Sequence, residues 1–374
     1  MSTTHYGLER QTLTLNPGVW LRQCIEAVAQ GFRTHATLYA IAFGTYLAGL
    51  AQSLSLGVPL SLGLVSIVGE STFAFLFLFI FLWLAGDFVR LWWTGYRGSP
   101  LHALSARLLG DILAPGRVAN TLHAFIVNGV FFVGFLTIKK NIPIANPFSW
   151  DRTLSTFDQL LHFGMLPHQI LAPLLEHPFA TFLLNITYNM WFVVMIAFFM
   201  WQGFQKHDSA LRQRYLIAYL LTWLLGTCVI GTILSSAGPC FFGFVDSGPD
   251  PYAGLMTYLA RTNEIYPIWA VPTQALLWQS HLDGFGEVQG VSAMPSMHVA
   301  TTILYICCAV ASGKRWLIWC TSAFSLAIFL GSIMLGWHYA VDGYVGAIVA
   351  LACWKGAGWW VERRFSSRPS SAPR

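Results

Sequence analysis

The chain has 374 residues, of which 55% are hydrophobic and only 10% charged, with a formal net charge of +5. A soluble domain carries about 25% charged residues, so this composition excludes an ordinary soluble enzyme and indicates a polytopic membrane protein. The 21 Lys and Arg residues form no basic stripe interleaved with aromatics, which argues against a nucleic-acid partner. The seven cysteines are scattered, and Cys307, Cys308, Cys320 and Cys353 lie in or beside apolar runs. That is neither a disulfide framework nor a zinc pattern.

Taken in order, residues 1–34 are polar to amphipathic. They lack the basic-then-apolar layout of a signal peptide. The stretch 15–32 reads either as a helix lying on the membrane surface or as an ordinary tail. Apolar runs then predict spans near 35–52, 60–85, 118–138, 180–202, 215–235, 296–312, 316–335 and 338–357. Glu70 falls in the second span, where it would face the bundle interior. A loop with Arg90, Arg97, Arg107 and Arg117 covers 86–117, and a long aromatic segment follows Lys139 and Lys140 to about 178. A loop of about sixty residues, rich in Gly, Pro and aromatics, precedes the last three spans. The tail 358–374 is basic, Ser/Pro-rich and disordered by composition. The fold class is therefore all-α, a helical membrane protein with about eight transmembrane helices. The sixteen tryptophans suit interfacial belts.

Basic residues orient these spans. With the N-terminus in the cytoplasm, both termini lie inside and seventeen of the 21 Lys and Arg residues fall on the cytoplasmic side. The opposite, outer side holds only Lys139, Lys140, Arg152 and Arg261.

The stretch with chemical content runs from Met294-Pro295-Ser296-Met297-His298 to Gly336-Trp337-His338-Tyr339-Ala340-Val341-Asp342. The apolar residues between suffice for two spans, and an out-and-back hairpin returns His338 to the face where His298 sits. His338 and Asp342 are four apart and share a face if helical. The carboxylate can then fix one ring nitrogen and leave the other free as base or nucleophile. Pro295 favours a first helical turn, which puts Ser296, Met297 and His298 where free N–H groups attract anions. An ionisable residue such as Asp342 in a membrane segment suggests function by default.

Pro295-Ser296-Met297-His298 resembles the second motif, Pro-Ser-Gly-His, of the type-2 phosphatidic acid phosphatase superfamily. Gly331-Ser332 through His338 to Asp342 resembles its third motif, Ser-Arg-x5-His-x3-Asp. Met297 replaces the usual Gly, and Ser332 stands where the phosphate-binding Arg belongs. These departures, with Gly-Trp-His-Tyr-Ala-Val-Asp, are more like the branch of aureobasidin-resistance and inositol phosphorylceramide synthase enzymes. The close match covers about fifty residues; Gly238-Pro239-Cys240 and Tyr188-Asn189-Met190-Trp191-Phe192 extend it loosely. The first motif, Lys-x6-Arg-Pro, is weakly matched by Lys139 and Asn146-Pro147, without the Arg.

The resemblance implies a six-helix phosphatase-like core over 118–357, preceded by two extra helices and a basic loop in 35–117. It implies phosphoryl transfer through a phosphohistidine on His338, oriented by Asp342, with His298 as proton donor and acceptor. Ser296 would hold phosphate oxygens. Lys139, Lys140, Arg152 and Arg261, the only outer cations, are the candidates to replace the missing Arg residues. No metal or other cofactor is called for. The expected partners are the bilayer, a lipid phosphate or phospholipid donor, and a lipid-alcohol acceptor if the enzyme is a headgroup transferase rather than a phosphatase. Asp158 and His162, also four apart, allow a second acid–base or metal pair, but a re-entrant or surface helix roofing the site is the preferred reading. A proton carrier using Asp342 and Glu70 would show paired broken helices in two related halves, and no internal repeat is seen. A non-catalytic scaffold that kept the motif's shape is the remaining alternative.

Overall fold

The computed structural model describes residues 16–283 and 290–366. Among them every regular element is a helix. The first six are α1 Pro17–Thr34, α2 Ala36–Leu56, α3 Leu62–Trp93, α4 Pro100–Arg107, α5 Pro115–Lys140 and α6 Ile142–Ala145. Next come α7 Asp151–Leu161, α8 Pro167–Leu175, α9 Pro178–Gly203 and α10 Ala210–Trp223, which continues as a π-helical stretch, Leu224–Ile230, into α11 Gly231–Ile233. The rest are α12 Phe242–Val245, α13 Ala253–Ile265, α14 Ala270–Asp283, α15 Met297–Ala311, α16 Arg315–Met334 and α17 Ala340–Ser366.

The helix starts follow from local sequence. Asn16 Oδ1 accepts from the N–H groups of Gly18 and Val19 at 3.1 and 3.3 Å, with Pro17 in the first position. Pro115 and Pro178 open α5 and α9. Ser209 and Ser296 cap α10 and α15 by accepting from the amides of Arg212 and Val299. Pro295 therefore lies just before the cap of α15 rather than in its first turn.

Six of these helices are long and apolar enough to cross a membrane: the Ala74–Trp93 part of α3, α5, α9, α10 with its continuation, α16 and α17. The other two expected spans are also helices. α15 is apolar but has 15 residues, and α2, with 21, carries no charge but is diluted by Gly, Ser, Thr, Tyr and Gln. α15 is the axis of the bundle, packed on α9, α10, α16 and α17; α2 and α1 pack on α5. The core is correspondingly apolar, with Leu304, Tyr305 and Cys308 of α15 fully buried. Outward-facing Phe77, Phe81 and Leu82 leave α3 at the periphery, as expected of a helix facing lipid.

Several sequence expectations are corrected. The loop at 86–117 is largely helical, formed by the end of α3, α4 and a π-helical turn at Leu108–Ile112. The long loops after Lys140 and before Met294 carry α6 to α8 and α12 to α14. Short helices satisfy their own backbone groups, which long open loops cannot do beside a membrane. Glu70 is exposed rather than turned to the interior. α17 runs to Ser366, so residues 358–366 of the expected disordered tail are helical; residues 367–374, like 1–15, lie outside the described part. Residues 17–34 are a helix, whose Trp20 Nε1 donates to Leu113 O at 2.8 Å.

Candidate active site

α15 and α17 start side by side: the Ser296 amide donates to the Asp342 carbonyl at 2.9 Å. The turn before α17 reverses the chain through Gly336, at φ +73°, where a side chain would strain the left-handed backbone. His338 lies in this turn, just before the helix, and Asp342 in its first turn. The pair is thus joined across a helix start instead of along one helical face.

His338 Nδ1 is 2.8 Å from the carbonyl oxygen of Ala293 and 3.4 Å from Asp342 Oδ2. A carbonyl only accepts, so Nδ1 carries a proton, and in the neutral ring Nε2 keeps the lone pair. Asp342 is fully buried. Its Oδ2 accepts from the Tyr339 amide at 3.0 Å, and its Oδ1 has no partner among the described residues. His298 faces His338 with ring centroids 5.9 Å apart. Its other faces are covered by Tyr188 at 4.3 Å and Trp191 at 4.1 Å. Ser296 is fully buried, its Oγ used in the cap of α15.

The departure at Met297 has a structural counterpart. A Cβ at Gly226, in the π-helical stretch, would stand 2.8 Å from Met297 Sδ. The glycine missing from the motif reappears on the facing helix, where it makes room for the thioether.

α7 roofs the site, as its sequence suggested. Asp158 Oδ2 and Oδ1 accept from the amides of Ala340 and Val341 at 2.8 and 2.9 Å, so this carboxylate caps α17. Asp151 accepts from the amides of Ala237 and Gly238 and, at 2.8 Å, from the Tyr339 hydroxyl. Burial pushes the Asp158 carboxyl up to about 6 against those two amides, and raises that of Asp151 in the same way. The Asp158–His162 pair does not form through the carboxylate: His162 Nδ1 meets the Asp158 backbone carbonyl, and its Nε2 the Tyr344 hydroxyl at 2.9 Å. His168 packs on Tyr252, where burial lowers it to about 4, and His281 on Phe148 and Trp278. His177 stands at the start of α9.

The four candidate cations separate. Lys139 stands at the end of α5, where Gly290 packs against its aliphatic stem. Lys140 beside it is half-buried. Arg152 is exposed and forms a two-pronged bond with Asp246, Nε to Oδ2 at 2.8 Å and Nη2 to Oδ1 at 2.5 Å. Arg261 is exposed on α13. Asn146, where the motif has Arg, donates to the Thr232 carbonyl at 2.8 Å. Among the described residues no three His, Cys, Asp or Glu side chains gather as a metal site.

Sequence reasoning did not single out Asp151, and it had Tyr188 and Trp191 only within a segment that loosely extends the resemblance, without a place beside His298. The Tyr188 hydroxyl is buried with no hydrogen-bond partner among the described residues, and its ring also lies parallel to Trp337 at 6.4 Å. The signal was available in Tyr188-x2-Trp191, whose spacing sets two aromatics on one helix face.

A helical bundle with six helices long and apolar enough to cross a membrane, and with two histidines and a buried aspartate gathered at one end, defines a multi-pass membrane protein. The chain belongs to the PAP2 superfamily, whose family model matches residues 152–355, more than half of its length. That membership indicates a phosphatase-type, phosphoryl-transfer enzyme. Neither a curated protein nor a solved structure matches the chain.

Proposed function

We propose that the protein transfers a phosphoryl-linked headgroup from a phospholipid to a lipid hydroxyl, through a phosphohistidine on His338. The lone pair of Nε2 attacks phosphorus while the bond from phosphorus to the leaving alcohol breaks. His298 gives its proton to that oxygen. The acceptor hydroxyl then attacks phosphorus, His298 takes its proton, and the nitrogen–phosphorus bond breaks. Asp342 and the Ala293 carbonyl hold the Nδ1 proton and steady the imidazolium character that develops. Lys139 and the hydroxyls of Ser296 and Tyr188 bind phosphate oxygens, with Lys140 and Arg261 as further candidates and Arg152 already engaged by Asp246.

The observation that supports this reading is the His338 hydrogen bonding: Nδ1 is committed to Ala293 and Asp342, Nε2 has no hydrogen bond among the described residues, and the His298 ring lies 5.9 Å away, centroid to centroid. The preference for a phosphodiester donor, as in inositolphosphoryl transfer, rests on charge. A monoester dianion calls for several cations, and here Arg152 is engaged by Asp246 while Ser332 and Asn146 stand where the resemblance places two arginines. The asymmetry of Lys and Arg favours cytoplasmic termini and an outer, periplasmic or lumenal, site. The second reading, a lipid phosphate phosphatase, has water as acceptor and uses the same residues.

The test offers purified protein a panel of labelled phospholipids and lipid phosphates, with and without ceramide or diacylglycerol. A labelled headgroup on a second lipid supports the transferase. Free phosphate from a monoester supports the phosphatase. No product from any donor, with an ion flux instead, sinks both.

A further inference from the structure

The two histidines of the centre are held in different ways. His338 has a carbonyl and a carboxylate on its Nδ1. His298 has no hydrogen bond among the described residues, and its ring packs on other rings. The Tyr188 ring lies 4.3 Å from it at an interplanar angle of 21°, and the Trp191 ring 4.1 Å from it at 38°. Phe192 stands edge-on at 6.3 Å. A proton donor acts only from the right place, and it is ordinarily oriented by a third group. Here that task falls to aromatic packing.

The indole is itself tied down. Trp191 is buried, and its Nε1 donates to Thr301 Oγ1 at 2.8 Å. Thr301 is fully buried on α15, three residues after His298, so the two share a helix face. Its hydroxyl donates in turn to the carbonyl oxygens of Met297 and His298, at 2.9 and 3.2 Å. A ring of contacts closes: from the His298 imidazole to the Trp191 ring, through the indole N–H to Thr301 Oγ1, and back to the His298 backbone. A buried tryptophan N–H usually finds a partner. The partner here belongs to the helix that carries the proton donor, which sets α9 against α15 at the level of the reacting groups.

We infer that Thr301 and Trp191 are positioning residues for the transfer: the hydroxyl fixes the indole, and the indole fixes the His298 ring in the orientation from which it gives its proton to the leaving oxygen. This rests on the role proposed for His298 and deepens it, by naming the groups that hold the donor in place. Both act through His298, without a contact of their own to the substrate. Removing the hydroxyl leaves the indole N–H buried and unpaired, so the indole turns, and a misplacement of about 1 Å beside reacting groups can cost about 10²-fold.

The experiment follows single-turnover release of the leaving group by full-length protein in detergent, which reads the first step alone. Two esters are used: phosphatidylinositol, whose lipid alcohol needs a proton to leave, and the para-nitrophenyl ester of inositol phosphate, whose nitrophenolate does not. Thr301→Val, which keeps the shape of the side chain, should release the lipid alcohol roughly ten-fold more slowly and the nitrophenolate within about two-fold of wild type. Trp191→Phe, which keeps a ring but not the N–H, should show the same split, so the test does not hang on one variant. Thr301→Ser, which keeps the hydroxyl, should restore the rate. In a His298→Ala background, Thr301→Val should change neither rate. Unchanged or equally reduced rates with the two esters in Thr301→Val and Trp191→Phe, beside a His298→Ala that does discriminate, would overturn the positioning role alone. So would a loss that adds to that of His298→Ala, or a Thr301→Ser as slow as Thr301→Val. A His298→Ala that slows both esters equally, or a wild type that releases neither group, would overturn the role of His298 and this inference with it.

Discussion

Two buried polar clusters, one at each end of the bundle, use histidine in opposite ways. Near the start of α10, both nitrogens of both histidines are occupied. His35 Nδ1 donates to the Gly31 carbonyl at 2.8 Å and its Nε2 accepts from Arg212 at 2.8 Å. His123 Nε2 donates to the Val28 carbonyl at 2.9 Å and its Nδ1 accepts from the Tyr39 hydroxyl at 2.8 Å. The two rings stack at 4.6 Å, and Arg212 goes on to Asp208 and the Asn120 carbonyl. At the other end His338 has one nitrogen fixed and the other without a hydrogen bond among the described residues. The Tyr188 hydroxyl and Asp342 Oδ1 beside it are also unpartnered. Buried polar groups are normally satisfied, and an unsatisfied one costs about 1–3 kcal/mol. The first cluster ties α1, α2, α5 and α10 together; its histidines are satisfied on both nitrogens, although Arg212 Nε and Asp208 Oδ2 are buried without a partner among the described residues, so the difference lies in the histidines themselves.

Substitutions sharpen this contrast. The largest effect is expected for His338→Ala: turnover should fall by at least about 10⁴-fold with an unchanged thermal midpoint, and no acid-quenched, labelled phosphoprotein should form. Normal turnover in that variant would sink the proposed mechanism. His298→Ala should cost about 10²–10⁴-fold with a poor leaving group and much less with a good one, since only the former needs the proton. Equal losses for both would remove the acid role. Tyr188→Phe deletes a single oxygen; a lost hydrogen bond to a charged phosphate is worth about 1.5–3 kcal/mol, so turnover should fall by roughly ten- to a hundred-fold. An unaffected rate would show that its hydroxyl stays idle.

Asp158 tests the support beneath the centre. Asparagine can accept one of the two amides of Ala340 and Val341 but sets an NH₂ against the other, so the start of α17 should shift. A displacement of about 1 Å near reacting groups can cost 10²-fold, while the lost cap costs about 1 kcal/mol. Asp158→Asn should therefore lower turnover more than stability. The pH dependence has a definite sign. With the folded carboxyl near 6 and the unfolded one near 4, the folded state holds the extra proton between about pH 4 and 6. This contribution makes the protein less stable as pH rises through that window and is constant above it. In Asp158→Asn the fall in thermal midpoint from pH 4 to 6 should shrink, leaving the share of Asp151. A fall as steep as in wild type would mean that Asp158 is not the titrating group.

The spans, their order and the meeting of His298 with His338 and Asp342 were legible because apolar run length and the short motifs are local signals. What was not legible depends on contacts between distant segments. Asp158 read as half of an i,i+4 pair with His162, yet its partners are amides at residues 340 and 341. Arg152 read as a free outer cation, yet its charge is taken by Asp246, nearly a hundred residues away. Met297 read as a lost glycine, and only the fold brings Gly226 opposite it. Apart from α7, which the sequence suggested, the loop helices were hidden because short segments beside a membrane lack the long apolar run that marks a span.

The smallest expected effect on chemistry belongs to the cluster whose histidines are satisfied, and it is the sharpest control on the comparison. His35→Ala removes the acceptor of one Arg212 N–H and leaves a void under the His123 ring. Losing a hydrogen bond to a charged group and a packed ring together should destabilise the protein by about 2–4 kcal/mol. Turnover per folded molecule should stay within about two-fold of wild type, because none of these groups reaches the far end of the bundle. Thermal unfolding in detergent, read beside the specific activity of the monodisperse fraction, separates the two quantities. A large fall in specific activity with unchanged stability would mean that the satisfied histidines are coupled to the reactive ones, and the distinction between a structural and a chemical cluster would fail.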